Sequence, residues 1–163
     1  SKTIKLIKTT FGKVNLYHLF NLDELIIFYF YFINRKKFKK ACDIGANIGL
    51  HSILLNKFGY KVVSYEPDSI HQKLANKNFK LNKSKVILKN EAVGNFDGKI
   101  QFTRIENNTT ASFIGSHKKT TGKIKKFFVK IIDAKKLQNK YDLIKIDAEG
   151  SEIDIFYLKK VYQ

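Results

Sequence analysis

The chain has 163 residues, 44% of them hydrophobic, which fits one soluble globular domain with one sizeable core. Its formal net charge of +17 invites a nucleic-acid reading, but among 31 basic residues only Arg35 and Arg104 are arginines and the lysines are spread along the chain. A solvated lysine surface therefore accounts for the charge better than a polyanion site, and nucleic acid is an open but not favoured partner.

Taken in chain order, the first 20 residues alternate weakly around Phe11-Gly12 and predict a hairpin. Asn21, with Glu24 three positions on, reads as a helix start, and a helix is predicted over Leu22 to Asn34. Its aromatic run, Phe28 to Phe32, is apolar nearly all round, which predicts burial against the sheet; the sharper alternative is a lid or partner surface. The longest apolar run, Leu25 to Ile33, has nine residues, against the roughly 20 of a membrane span. It is preceded by Asp23 and Glu24 and followed by basic residues, the wrong order for a secretory signal. No membrane span and a cytoplasmic location are expected.

Phe38 to Cys42 is a predicted strand, and the lone cysteine, Cys42, excludes an internal disulfide and reads as a buried, inert thiol. A glycine turn, Asp43-Ile44-Gly45-Ala46-Asn47-Ile48-Gly49, leads to a helix over Leu50 to Phe58, then a strand over Lys61 to Tyr65 that ends at Glu66. Pro67-Asp68-Ser69 opens a helix over Asp68 to Lys80 with Ile70, Leu74 and Phe79 inward. A strand over Lys85 to Lys89 leads into Asn90-Glu91-Ala92-Val93-Gly94, and Asp97-Gly98 is a hairpin signal before a strand over Lys99 to Ile105. Glu106 to Lys126 reads as a polar, mobile loop. Strands over Phe127 to Ile132 and Tyr141 to Asp147 and a helix over Ser151 to Tyr162 complete the chain. The expected organisation is a hairpin and helix at 1–37 packed on a core at 38–163, a single domain overall.

This alternation predicts an α/β fold, a mostly parallel doubly wound sheet with helices on both faces. Ligands of such sheets bind beyond the carboxyl ends of the strands. Asp43, Glu66, Glu91 and Asp147 all fall at predicted carboxyl ends, and carboxylates gathered on one rim need a ligand or base to tolerate one another. Gly45 and Gly49 allow a tight turn at a helix N-terminus, which favours an anion. A dinucleotide fingerprint would place a further glycine where Asn47 stands, so the spacing fits a nucleoside without a pyrophosphate and disfavours a nicotinamide oxidoreductase. Glu66, 23 positions after Asp43, is placed to accept from both ribose hydroxyls. In Lys145-Ile146-Asp147-Ala148-Glu149, strand alternation puts Lys145, Asp147 and Glu149 on one face, a candidate base and its tuning partners.

The motifs D-I-G-A-N-I-G at 43–49, S-Y-E-P at 64–67, N-E-A-V-G at 90–94 and K-I-D-A-E-G-S-E at 145–152 together resemble the FkbM family of S-adenosylmethionine-dependent methyltransferases. The resemblance implies a Rossmann-like methyltransferase fold, S-adenosyl-L-methionine as cofactor and transfer to a hydroxyl oxygen of a sugar, glycan or small-molecule product. By it, Asp43, Gly45, Ala46, Asn47 and Gly49 would line the methionine and ribose portion, Glu66 would hold the ribose diol, and Glu91 with Ala92 would face the adenine. Asp147, with Lys145, Glu149 or Glu152, would lie beside the methyl group and acceptor. Asp147 is the first candidate for the base and Lys145 the second. No metal is assigned, although Asp147, Glu149 and Glu152 are oxygen ligands of the type divalent ions take. The four histidines show no ligand spacing, and His51 is expected on the helix surface.

Family members usually continue through further strands, so this chain reads as C-terminally short. Its sheet edge is then open unless the strands at Lys99–Ile105 or Phe127–Ile132, or a second subunit in a homo-oligomer, pair with it. Two alternatives stand beside the leading reading: an RNA methyltransferase, and a truncated cofactor-binding module without activity.

Overall fold

The computed structural model describes residues 4–5, 22–105, 123–148 and 155, and the backbone of 112–114. The predicted N-terminal hairpin, the Asn21 cap and the closing helix lie outside these residues, apart from Ile155, which is helical and buried. The elements in order are α1 (Leu22–Asn34), β1 (Lys40–Ile44), α2 (Leu50–Lys57), β2 (Lys61–Tyr65), α3 (Ser69–Leu81), β3 (Val86–Lys89), β4 (Ala92–Gly94), β5 (Gly98–Ile105), β6 (Ser112–Ile114), β7 (Ile124–Asp133), a short 3₁₀ turn (Ala134–Leu137) and β8 (Leu143–Ile146).

Among the described residues the strands form two four-stranded sheets, β3-β2-β1-β8 and β4-β7-β5-β6. The first is parallel throughout, as a βαβ order requires. β1 begins two residues later than predicted, at Lys40. The amide of Phe38 donates to the Asn34 carbonyl at 2.9 Å and closes α1, so the chain enters the ladder only after it. At its other end β1 includes Asp43, which stands opposite both Ser64 and Lys145.

From β1 the chain steps in one direction to β2 and β3, and right-handed crossovers place both connecting helices on the same face. Leu55 of α2 packs on Ala41 and Val62, with Tyr31 of α1 beside them, while Ala75 and Phe79 of α3 pack with Ile53 against Val86 and Leu88. The return to β8 runs the other way, across the opposite face, where Ala134, Leu137 and Ile155 cover Cys42, Ile44 and Tyr65. The three α-helices described in full therefore share one face, and the 3₁₀ turn with helical Ile155 covers the other. The reversal between β1 and β8 is the switch point of a doubly wound sheet.

Several expectations are corrected. α1 is mostly uncovered: only Tyr31 is buried, with Phe28 partly so, because a straight helix turns a single stripe toward the sheet. In α3 the inward set is His71, Ala75, Asn78 and Phe79, whereas Ile70 is 36% exposed. The cap sets that phase, since the Asp68 carboxylate accepts from the Ile70 amide at 2.8 Å and fixes where the first turn begins. Asp97-Gly98 is not a hairpin turn: the long β7 lies between β4 and β5, parallel to one and antiparallel to the other. The span predicted as a loop contains β6, paired to β5, and the first residues of β7. The strands at 99–105 and 127–132 pair with each other, so among the described residues they do not cover the outer edge of β8.

Candidate functional site

The glycine turn after β1 is folded back onto β2. The amides of Gly45 and Ala46 both donate to the Tyr65 carbonyl, at 2.9 and 3.0 Å. Gly45 has φ +76°, and a Cβ there would lie 1.8 Å from the carbonyl oxygen of Asp147. Glycine is thus required by the contact between this turn and the end of β8. Asn47, also in the left-handed region at φ 50°, turns its amide toward Glu66 and donates to Oε2 at 2.8 Å. The amide of Asp68 donates to Glu66 Oε1, also at 2.8 Å. Glu66 is only 4% exposed, yet each oxygen is held by one backbone donor, and a carboxylate oxygen accepts two. Gln72 adds a clamp, donating through Nε2 to the Glu66 carbonyl and to Asn90 Oδ1.

These residues face an open cleft with about 570 Å³ of empty space including its mouth. Of the predicted set, Gly45, Asn47, Glu66, Glu91, Ala92 and Asp147 line it. Glu91 is drawn toward Lys130, whose ammonium donates to Oε1 at 2.6 Å. Sequence reasoning missed His71 and Phe102, which also line the cleft. His71 Nδ1 lies 3.6 Å from Glu66 Oε1. It sits three residues past the Asp68 cap, so the helical phase set by that cap is the signal that could have found it. Phe102 comes from the second sheet and left no local signal.

Asp43, Ala46, Gly49, and Lys145 do not line this cleft. Asp43 is fully buried behind it, on the helix-covered face. Its Oδ2 accepts from Ser52 Oγ at 2.5 Å, and Ser52 Oγ is 2.7 Å from Ser64 Oγ. Lys145 Nζ lies 3.2 Å from Asp43 Oδ1 and 3.5 Å from Asp147 Oδ2, and donates to the Gly45 carbonyl at 3.2 Å. Burial alone would lower the Lys145 pKa, but the Asp43 and Asp147 carboxylates outweigh it and hold the group above its ordinary value. Lys145 is therefore an ammonium, a donor between the buried acid and the rim acid. Asp147 is at the rim, with its side chain 65% exposed; Glu149 and Glu152 lie outside the described residues. For Lys145 and Asp147 the predicted alternation holds, with Ile144 and Ile146 packed on the opposite face.

His51 is not the surface residue expected. α1 covers it: its Nδ1 is 3.1 Å from the Tyr31 hydroxyl and its Nε2 is 3.1 Å from Glu24 Oε2. Burial and then the Lys145 charge lower its pKa, against the opposing pull of Asp43, Glu24 and Asp147. Cys42 behaves as predicted, fully buried with its thiol pushed up to about 12, chiefly by burial. Both arginines have partners within the chain. Arg104 Nε bonds the buried Asp68 Oδ2 at 2.6 Å, and Arg35 lies 3.7 Å over the Phe32 ring. Among the described residues no three His, Cys, Asp or Glu side chains gather as a metal site.

The family model for the methyltransferase FkbM domain matches residues 43–161. No curated protein matches the chain. Among solved structures, a SAM-dependent methyltransferase from Agrobacterium tumefaciens aligns at 12% identity and a TM-score of 0.40, over 43% of this chain and 24% of its own. A proposed O-methyltransferase from Klebsiella pneumoniae aligns at 17% identity and 0.38, over 43% and 34%. A proposed RNA methyltransferase from Pyrococcus horikoshii aligns at 17% identity and 0.39, over 56% and 54%. The chain thus spans about half or less of the length of these proteins.

Proposed function

The chain belongs to the FkbM methyltransferase domain family, and on that premise we propose that it is an S-adenosylmethionine-dependent O-methyltransferase acting on a hydroxyl of a sugar, glycan or small-molecule product. The observation that carries this reading is the Glu66 carboxylate. It is oriented by two backbone amides at 2.8 Å and lines the cleft, with acceptor capacity left for a ribose diol. The glycine turn supports it indirectly, because the absence of a Cβ at Gly45 admits the Asp147 carbonyl and so brings the end of β8 against the turn.

In this reading Gly45 and Asn47 border the methionine and ribose portion, Glu66 receives the ribose hydroxyls, and Glu91, Ala92 and His71 stand toward the base. The bound cofactor supplies an activated methyl group on a sulfonium. A hydroxyl is a poor nucleophile while protonated, so Asp147 at the rim serves as the base that takes its proton. Lys145 is the positioning residue: its ammonium holds Asp147 from one side and the Gly45 carbonyl from the other. Phe102 contributes an apolar wall to the cleft. An RNA acceptor has less support, since both arginines are engaged within the chain.

Calorimetry with S-adenosylhomocysteine and with NAD tests the reading. Wild type should bind the first and not the second. Glu66→Ala should bind at least about tenfold more weakly, the loss expected for hydrogen bonds to a charged group. Asp147→Ala should keep binding and lose about 10²–10⁴ in turnover. Wild type that does not bind S-adenosylhomocysteine would overturn the proposal; unchanged turnover in Asp147→Ala would remove only the base.

A further inference from the structure

Away from the cleft, α1 presents an inverted arrangement. Leu22, Leu25, Ile26, Tyr29, Phe30 and Ile33 recur at helical spacing, and all are exposed, by 72, 49, 58, 64, 44 and 51%. A helix normally turns such a stripe inward; this one turns Phe28 and Tyr31 inward and leaves the longer stripe in solvent. The 13 residues make a rod of about 20 Å. Directly after it, beyond Arg35, which is held over the Phe32 ring, come Lys36, Lys37, Lys39 and Lys40, with Lys40 opposite Lys61 in the sheet. The nearby acids are few and placed. Asp23 and Glu24 are in the first turn, about 16 Å along the axis from the basic run. The carboxylate of Asp142 is occupied by the amides of Lys39 and Lys40 at 2.7 and 2.9 Å.

We propose that α1 and the basic run behind it form a docking surface for an anionic lipid bilayer, the helix lying in the interface and not crossing it. The charge pattern selects this occupant. A second copy of the chain would set a net charge of +17 against another +17. A nucleic acid would satisfy the lysines and leave the apolar stripe in water. An anionic membrane satisfies both, its acyl boundary taking the stripe and its headgroups taking the cations, and an apolar face plus a polybasic run are the two signals that make such binding stable. No described helix is long and apolar enough to span a membrane, which agrees with a helix that lies flat. The basic run sits at the amino end of β1 and the cleft at the carboxyl end.

Co-flotation with vesicles tests this, comparing phosphatidylcholine alone with vesicles holding about 30% phosphatidylglycerol. Wild type should float with the anionic vesicles only. Lys36→Glu with Lys37→Glu should weaken binding by at least about tenfold, and Ile26→Gln with Tyr29→Gln and Ile33→Gln by a similar factor. Both variants should still bind S-adenosylhomocysteine as wild type does. The chain has no tryptophan, so Tyr29→Trp gives a single reporter whose emission should shift to the blue on anionic vesicles. Binding to neither vesicle would overturn the proposal, as would a Tyr29→Trp emission unmoved by them. So would binding that needs the lysines but not the stripe, the signature of a simple polyanion site, or sedimentation showing that the stripe pairs two copies.

Discussion

Replacing Lys145 by methionine keeps the length and apolar volume of the side chain and removes its charge. At 3.2 Å from Asp43 Oδ1, and with an effective dielectric of about 20, the lost attraction is about 5 kcal/mol. The contact with Asp147 at 3.5 Å is worth only about 1 kcal/mol, because that carboxylate is exposed and water screens it. Against this, the variant no longer desolvates an ammonium. Asp43 also keeps its bond from Ser52 Oγ at 2.5 Å. The net loss should therefore fall at the low end of the range for breaking a buried pair, about 3 kcal/mol. For a chain of 163 residues that is a fall in Tm of roughly 6–12 °C. Urea unfolding gives the loss directly, and the double variant Asp43→Asn/Lys145→Met shows whether it comes from the pair. With the buried charge also gone, about 1–2 kcal/mol should return. A loss below about 1 kcal/mol in the single variant, or no recovery in the double one, would refute the assignment of Lys145 to Asp43.

Two further outcomes are expected. Gly45→Ala should fold less stably and lose measurable S-adenosylhomocysteine binding by calorimetry, because its Cβ would meet the Asp147 carbonyl at 1.8 Å in a left-handed backbone. The depressed pKa of His51 sets a pH dependence. Below about pH 6.5 the unfolded chain takes up a proton that the folded chain resists, so stability is complete above that pH and declines as pH falls through it, by at most about 1.4 kcal/mol per unit. His51→Gln should flatten that slope in urea titrations between about pH 5 and 7, and an unchanged slope would show that another group causes it.

The β1-α2-β2-α3-β3 unit was legible because each of its elements carries its own local code. Lys61–Tyr65 was read with its observed bounds, and Leu50 and Asp68 mark helix starts that the glycine turn and a capping acid announce. For the same reason Gly45, Asn47 and Glu66 were legible: they lie within a few residues of those boundaries. What failed depended on orientation or on distant partners. α1 was read as a helix with its observed bounds, yet apolarity on all sides cannot say which stripe meets the sheet. Asp43 looked like a rim acid because its strand was placed two residues too early. In the ladder it belongs to β1 and points into the helix-covered face, toward Ser52 and Lys145. Phe102 reaches the cleft through a second sheet whose strand order no local pattern encodes.

The pairing of β1 with β8 has a consequence in time. Lys145 reaches Gly45 across 100 residues of chain, whereas β1 meets β2 after about twenty. Closing the longer loop costs more chain entropy and comes late in folding. The half of the cleft built from the glycine turn and Glu66 can thus form as an early, local unit, during synthesis as well as in refolding. Asp147 is added only when β8 docks. A molecule caught between those two stages would carry a ribose-side cradle with nothing yet opposite it. A ligand that bridges both halves would therefore act mainly by slowing the departure of β8.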